Sequence, residues 1–295
     1  MHPSKKALIY ALVTVLLWST VGTAFKLSLR YLSPIELLLF SSLFSCLVLG
    51  IILFFQSKWK FVFQCSRREY IFSFFLGFLN PCLYYLVLFE AYDLLQVQQA
   101  QPINYTWAIT LSLLSVPLLK QKLHWSQLIS LVISYLGVLI ISTQGKPLSL
   151  EFVSLFGIFL ALLSTVIWAL YWIFNTRNKR DPVVALFINF LFSTPFIFIY
   201  YAATEEISIP PFEGVFMAMY VGMFEMGICF VMWLMAMKLT HSTAQISSLI
   251  FLSPFLSLIY ASYILGEKIV LGTYIGLILI IAGLIVQQIK SKENL

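Results

Sequence analysis

Ten apolar runs, each long enough to cross a bilayer, decide what this chain can fold into. They fall at about 7–29, 34–56, 70–92, 97–118, 125–143, 152–174, 182–203, 212–237, 243–265 and 270–289 of 295 residues. A spanning helix takes about 20 apolar residues, so ten use roughly 200 and leave only short connections. Hydrophobic residues make up 61% of the chain and charged residues 10%, against about 25% charged in a soluble domain. So few charges cannot cover a water-facing surface, and the hydrophobicity is far too high for disorder. The runs are continuous rather than alternating, which excludes a membrane barrel. The expected fold is an all-α integral membrane protein of ten transmembrane helices. The first run is longer than a signal-peptide core and lacks a small-residue cleavage site, so it is expected to stay as the first span.

The net charge of +6 does not point to nucleic acid. The Lys and Arg residues sit in short clusters between the runs, where they orient a membrane protein. With the N-terminus inside, ten spans place Lys5, Lys6, Lys58, Lys60, Arg67, Arg68, Lys120, Lys122, Arg177, Lys179, Arg180, Lys238, Lys290 and Lys292 inside. Only Lys26, Arg30, Lys146 and Lys268 fall outside, a split of 14 to 4. The loop with Glu205, Glu206 and Glu213 carries no positive residue and also falls outside. Both termini are therefore expected in the cytoplasm, with the bacterial inner membrane as the expected location. Cys46, Cys65, Cys82 and Cys229 have no metal-type spacing, so no metal, cofactor or disulfide is expected.

The chain also repeats itself. Trp18 corresponds to Trp168 at an offset of 150, and Ser33-Pro34 to Asp181-Pro182 and Phe44-Ser45 to Phe192-Ser193 at 148. Gly77 and Ala91 correspond to Gly222 and Ala236 at 145, and Gly137 to Gly283 at 146. A collinear series in so narrow a band divides the chain into residues 1–145 and 146–295, each with five helices. Five is odd, so the two repeats run in opposite senses across the membrane. Such inverted repeats build secondary transporters around a central cavity with the substrate near the midplane.

Leu17-Trp18-Ser19-Thr20, Asn104-Tyr105-Thr106-Trp107, Gln121-Lys122-Leu123-His124-Trp125 and Leu265-Gly266-Glu267-Lys268 carry a likeness to known proteins. With the five-plus-five plan, the chain resembles the drug/metabolite transporter superfamily in its EamA-domain group. Within it, the chain is similar to the aromatic-amino-acid exporter branch. Two departures stand out: Ala108 occupies a place where that branch usually has Pro, and Asn80 one where it tends to have an aromatic residue. The resemblance implies a basket of helices 1–4 and 6–9 around the cavity. Helices 5 and 10 would lie at the periphery, as supports or as the surface of a homodimer. It also implies outward movement of amino acids and related metabolites.

Glu225 is the one acid placed mid-run. A charge at the bilayer centre costs on the order of 3 kcal/mol on insertion scales, so the group must face a cavity, a partner or a proton. Its repeat mate is Asn80, just before Pro81. The candidate substrate-binding set is Trp18, Asn80, Gln101, Asn104, Tyr105, Trp107, Trp168, Glu225 and Ser248, with Glu225 also the candidate for proton coupling. Trp and Tyr offer flat apolar faces that can stack on a ring or hold an ammonium. Gln98, Gln101 and Asn104 follow a spacing of three on one helix face. Each of these residues can instead be a packing anchor. Glu36, Glu90, Lys26 and Glu267 read better as caps, pairs or interfacial charges. Gly272-x-x-x-Gly276 is a close-packing motif that suits a dimer or a contact with helix 5.

No nucleotide-binding P-loop, HExxH or GxSxG occurs, and no Arg ladder. The expected function is a secondary transporter rather than an enzyme, with export of amino acids as first choice. Uptake or exchange of a cationic or nucleotide-like metabolite such as S-adenosylmethionine is the alternative. A membrane enzyme or a channel ranks behind both. The expected partners are a small-molecule substrate and the lipid bilayer.

Overall fold

The computed structural model describes residues 3–119, 125–148, 152–175, 178–239 and 249–291. Among these, helices alternate with short connections and no strand occurs. The first half holds α1 (Pro3–Ser28), α2 (Pro34–Phe55), the short α3 (Trp59–Phe63), α4 (Arg67–Gly77), a π-helical segment π1 (Phe78–Leu83) and α5 (Tyr84–Leu94). It continues with α6 (Val97–Asn104), α7 (Trp107–Leu119) and α8 (Trp125–Ser142). The second half holds α9 (Leu155–Asn175), α10 (Pro182–Thr204), α11 (Phe212–Tyr220), a second π-helical segment π2 (Val221–Ile228) and α12 (Cys229–Leu239). A short turn at Leu249–Phe251 leads into α13 (Leu252–Leu265), and α14 (Leu271–Ser291) ends the described chain.

Among the described residues, six helices are long and apolar enough to cross a membrane: Lys5–Ser28, Pro34–Phe55, Arg67–Leu94, Leu155–Asn175, Pro182–Thr204 and Phe212–Trp233. At 1.5 Å per residue, a helix of 22 residues rises about 33 Å, which matches a hydrocarbon core of about 30 Å. Leu128–Ser142, Leu252–Leu265 and Leu271–Val286 are shorter apolar stretches. Lipid-like surface is plain on the outside, where Phe55, Phe63, Trp125, Phe212 and Tyr263 are exposed.

Helix ends follow local chemistry. Ser33 caps α2 and Glu36 closes the reciprocal bond to the Ser33 N–H, so the acid beside Pro34 is a capping-box residue. Ser66 and Glu69 repeat the device on α4, and Asp181 caps α10 through the N–H groups of Val183 and Val184.

The fourth apolar run is not one helix. It breaks at Tyr105–Thr106 into α6 and α7. Pro102 supplies no N–H to the preceding turn, and Thr106 Oγ1 donates to Ile103 O at 2.8 Å instead of leaving that carbonyl to a continuous ladder. The third and eighth runs are likewise interrupted, by π1 and π2.

The correspondences in sequence return as contacts. α1 packs on α12 and α13, while α9 packs on α5 and α7. α2 packs on π2, while α10 packs on α4 and π1. A methyl group on Gly77 would collide with Asn189 O, and one on Gly222 with Ser41 O. Side chains far apart in sequence also meet between the halves. Cys46 Sγ lies 3.9 Å from Thr194 Oγ1, and Tyr105 donates to Ser253 Oγ at 2.7 Å, each pair 148 residues apart.

α8 and α14 pack against each other at one edge. Gly137 faces Gly276 O, Gly283 faces Ser130 O, and Gly145 meets Gly272. The Gly272-x-x-x-Gly276 motif thus serves the contact between these two helices within one chain.

Candidate functional site

The predicted residues on α1, π1, α6, α7, α9 and π2 converge on an aromatic centre. Trp168 is buried at 7% exposure and is its hub. Its ring stacks on Tyr84 at 4.5 Å between centroids and on Tyr171 at 5.7 Å. Phe230 meets it edge-on at 5.7 Å, and Trp107 does so at 6.5 Å. Trp18 reaches the same cluster from α1, 6.2 Å from Phe230 and 5.4 Å from Trp233. Offset stacks and edge-on pairs are the favoured geometries of such rings. The two repeat-mate tryptophans therefore do not touch, and share Phe230 as a common neighbour.

Glu225 lies beside this centre. Its Oε1 accepts from the Tyr85 hydroxyl at 3.1 Å, while its Oε2 is buried without a hydrogen-bond partner. One lone carboxylate oxygen in a low-dielectric interior calls for a proton, a cation or a donor. Tyr84 and Tyr85, adjacent in sequence, thus serve two functions: one stacks on Trp168 and the other holds Glu225.

Asn80 sits in π1 with an extended backbone (φ −149°, ψ 119°). Its side chain is 1% exposed. Asn80 and Asn189 of α10 both approach the Tyr171 hydroxyl, yet neither amide has a hydrogen-bond partner on its side-chain oxygen or nitrogen. Trp18 Nε1 and Gln101 Nε2 are also buried and unpartnered. Interiors rarely tolerate such groups without a partner.

The Gln98, Gln101, Asn104 row divides among three neighbours. Gln98 Oε1 accepts from Thr273 Oγ1 at 3.0 Å and its Nε2 donates to Lys268 O at 3.1 Å, so it ties α6 to the start of α14. Gln101 Oε1 accepts from the Ser257 hydroxyl of α13. Asn104 Nδ2 donates to Ser164 Oγ at 2.9 Å and lies 3.3 Å from the Tyr84 hydroxyl, which places it at the edge of the aromatic centre. Tyr105 bonds away from that centre, to Ser253. Ser248, the remaining candidate, and its neighbour Gln245 lie outside the described residues.

Two of the charged residues at one end of the bundle, Lys26 and Glu267, are fixed by backbone. Lys26 Nζ donates to Tyr92 O at 2.6 Å and to Asp93 O at 3.1 Å, at the last turn of α5. Glu267 accepts from the N–H groups of Val97 at 2.8 Å and Gln98 at 3.1 Å, at the first turn of α6. Each meets the helix end that its charge favours. Together with Arg30, Asp93 and Gln96 they line a cleft of about 330 Å³.

Sequence reasoning missed Tyr84, Tyr85, Tyr171, Asn189 and Phe230. Asn189 was the most accessible of these, as an amide deep in an apolar run. Tyr84-Tyr85 directly follow Asn80-Pro81-Cys82-Leu83, and a paired tyrosine beside a kink is a signal of the same kind.

Comparison with known proteins agrees with this architecture. The sequence profile described as the EamA-like transporter family matches residues 5–143 and again residues 155–287. An uncharacterized transporter of Archaeoglobus fulgidus is 25% identical over 95% of this chain and 97% of its own. An uncharacterized transporter of Clostridium kluyveri is 29% identical over 60% of this chain and 58% of its own, and one of Bacillus subtilis is 26% identical over the same shares. A solved crystal structure shares the fold at a TM-score of 0.69 and 19% identity, over 98% of both chains. With its long apolar helices, this is a multi-pass membrane protein. On the double profile match, the chain belongs to the EamA-like transporter family, within the drug/metabolite transporter superfamily.

Proposed function

We propose that this protein is a secondary transporter that exports amino acids, or related amines with an apolar part, by alternating access. On this reading residues 1–145 and 146–295 are two inverted five-helix repeats that cross the membrane ten times. They rock about the aromatic centre, with both termini in the cytoplasm and the inner membrane of a bacterium as the location. The pairing of Cys46 with Thr194, at the local repeat offset of 148, supports the symmetry, because residues that meet their own repeat mates lie on its axis. Two π segments in matching places of the two halves, Phe78–Leu83 and Val221–Ile228, support it too. Any contact between two copies would use the outer faces of α8 and α14, around Ile129, Val132, Ile275 and Ile278.

The observation that carries the substrate class is Glu225, with one oxygen held by Tyr85 and the other free, linked through Tyr85 and Tyr84 to Trp168. An ammonium completes the carboxylate while ring faces receive an apolar side chain. A proton on Glu225 excludes the ammonium, and an ammonium excludes the proton. That exclusion couples the two fluxes in opposite directions.

Glu225→Gln keeps size and hydrogen bonding and removes the titration. Proteoliposomes should accumulate labelled L-phenylalanine under an imposed pH gradient with wild-type protein. The variant should lose that accumulation and retain exchange down a concentration gradient. A wild-type response in the variant makes Glu225 structural. The same free oxygen fits a cationic metabolite, so S-adenosylmethionine belongs in the assay as competitor. Stronger inhibition by it than by unlabelled phenylalanine favours that second reading.

A further inference from the structure

A second pocket, with an apolar wall and a few polar groups, opens at the other end of the bundle from Lys26 and Glu267. Its volume is about 220 Å³, and Tyr171, Trp172, Asn175, Asn178, Arg180 and Phe230 lie in its wall. Lys58 pairs with Asp181 at 2.8 Å across the same end, so the α2–α4 and α9–α10 connections meet there. That end carries Lys58, Lys60, Arg67, Arg68, Lys179 and Arg180, which is the pattern of a cytoplasmic face.

Arg180 is held in place but not neutralised. Its Nε donates to Asn178 Oδ1 at 3.0 Å and its Nη2 to Ser73 Oγ at 2.7 Å, while Nη1 has only Cys65 Sγ at 3.9 Å. A guanidinium has five N–H donors, and these contacts leave at least two without a strong acceptor. Among the described residues no carboxylate lies within 4 Å of it. The nearby acids are spent elsewhere. Glu69 folds back on Ser66, accepting from its N–H at 2.7 Å and its hydroxyl at 2.8 Å. Asp181 holds Lys58 and the first turn of α10. Trp172 Nε1 and Asn178 Nδ2 add two buried donors with no protein partner. The polar groups of the pocket are thus mainly donors and positive, and its wall continues through Tyr171 and Phe230 to Trp168.

We propose that this pocket is the cytoplasmic entry site for the carboxylate of an organic acid or amino acid, and that Arg180 binds it. The planar fork of Arg matches a carboxylate with two parallel hydrogen bonds. The apolar part of the same molecule lies toward Tyr171 and Phe230. The inference rests on the transporter reading for its role in entry, but not for the binding itself.

Binding can be measured on the purified full-length protein in nanodiscs, by isothermal titration with three probes. Phenylacetate carries the carboxylate alone, phenethylamine the amine alone and L-phenylalanine both. Loss of the charge-assisted bonds should weaken phenylacetate and L-phenylalanine by about tenfold or more in Arg180→Gln. Phenethylamine should bind both proteins alike, and Arg180→Lys should recover part of the loss. Inorganic phosphate should not displace phenylacetate. The proposal is overturned if wild-type protein does not bind phenylacetate. It is also overturned if phosphate competes as well as a carboxylate, or if Arg180→Gln binds phenylacetate as wild type does. An equal loss of all three probes would mean that Arg180 only supports the fold. Arg180-dependent binding without flux into liposomes would remove the transporter reading and leave the site standing. Flux that is intact in Arg180→Gln would do the reverse.

Discussion

Asp181 shows how one carboxylate serves two neighbours at the membrane surface. Burial pushes its carboxyl up, but Lys58 and the N–H groups of Val183 and Val184 outweigh this and hold it below its ordinary value of 3.8. Its stabilising share is therefore complete above the ordinary carboxyl range and is lost as pH falls through the lowered folded value. Asp181→Asn keeps a capping oxygen and loses the charge. It should melt below wild-type protein at neutral pH by less than about 1 kcal/mol, since the pair is partly exposed, and the gap should close as pH falls below the ordinary carboxyl range. Detergent-solubilised protein melted across that range checks it, and a gap that ignores pH would assign the effect to packing. At this scale the sequence was only partly legible. Glu225 stood out because a bilayer penalises any mid-run acid. Tyr85, its partner, did not, because one tyrosine among 15 carries no mark of its own. Gln98 had the spacing of a cavity residue, and only the fold shows it bonded to Thr273 and Lys268.

Among the elements, the two glycines beside the π segments set how close the helices come. Gly77 and Gly222 leave no room for a methyl group, since each faces a backbone carbonyl of another helix. Gly266 is of a different kind, with a positive φ of 72° and open space around it. Gly222→Ala should therefore cost more than Gly266→Ala. The first must move α2 away from π2, at about 1–3 kcal/mol or more for overpacking, and the second carries only a backbone strain of about 1 kcal/mol. Thermal melts followed by size-exclusion chromatography rank the two, and a larger loss in Gly266→Ala would contradict the close approach. Matched Ser-Pro, Asp-Pro and glycine positions in the two halves were readable in the sequence alone. The π segments and the break at Tyr105–Thr106 were not, although Pro81 and Pro102 lie in or just before two of them, because a proline interrupts a helix without fixing how its ladder resumes. What fixes them is a neighbour distant in sequence, such as Asn189 against Gly77.

For the whole molecule, the proposed ten crossings make a prediction at every loop. Reporter fusions after Lys60 and Lys179 should read cytoplasmic, and those after Lys146 and Glu206 external. A cytoplasmic reading at Lys146 alone would break the five-plus-five plan. The expectation rests on charge counting, which needs no contact, only the side on which each cluster lies. Glu267 adds something that counting could not supply. Its carboxylate belongs to the connection before the last helix, and it closes on the first turn of α6 far back in the chain. Any rearrangement that parts the two must break both bonds, each worth about 1.5–3 kcal/mol when one partner is charged. At the lower end the sum is about 3 kcal/mol, which leaves the parted form at less than about one molecule in a hundred. The clasp thus sets a threshold on occupancy: a ligand shifts the balance only if it prefers the parted form by more than that factor, and tight binding without preference changes nothing.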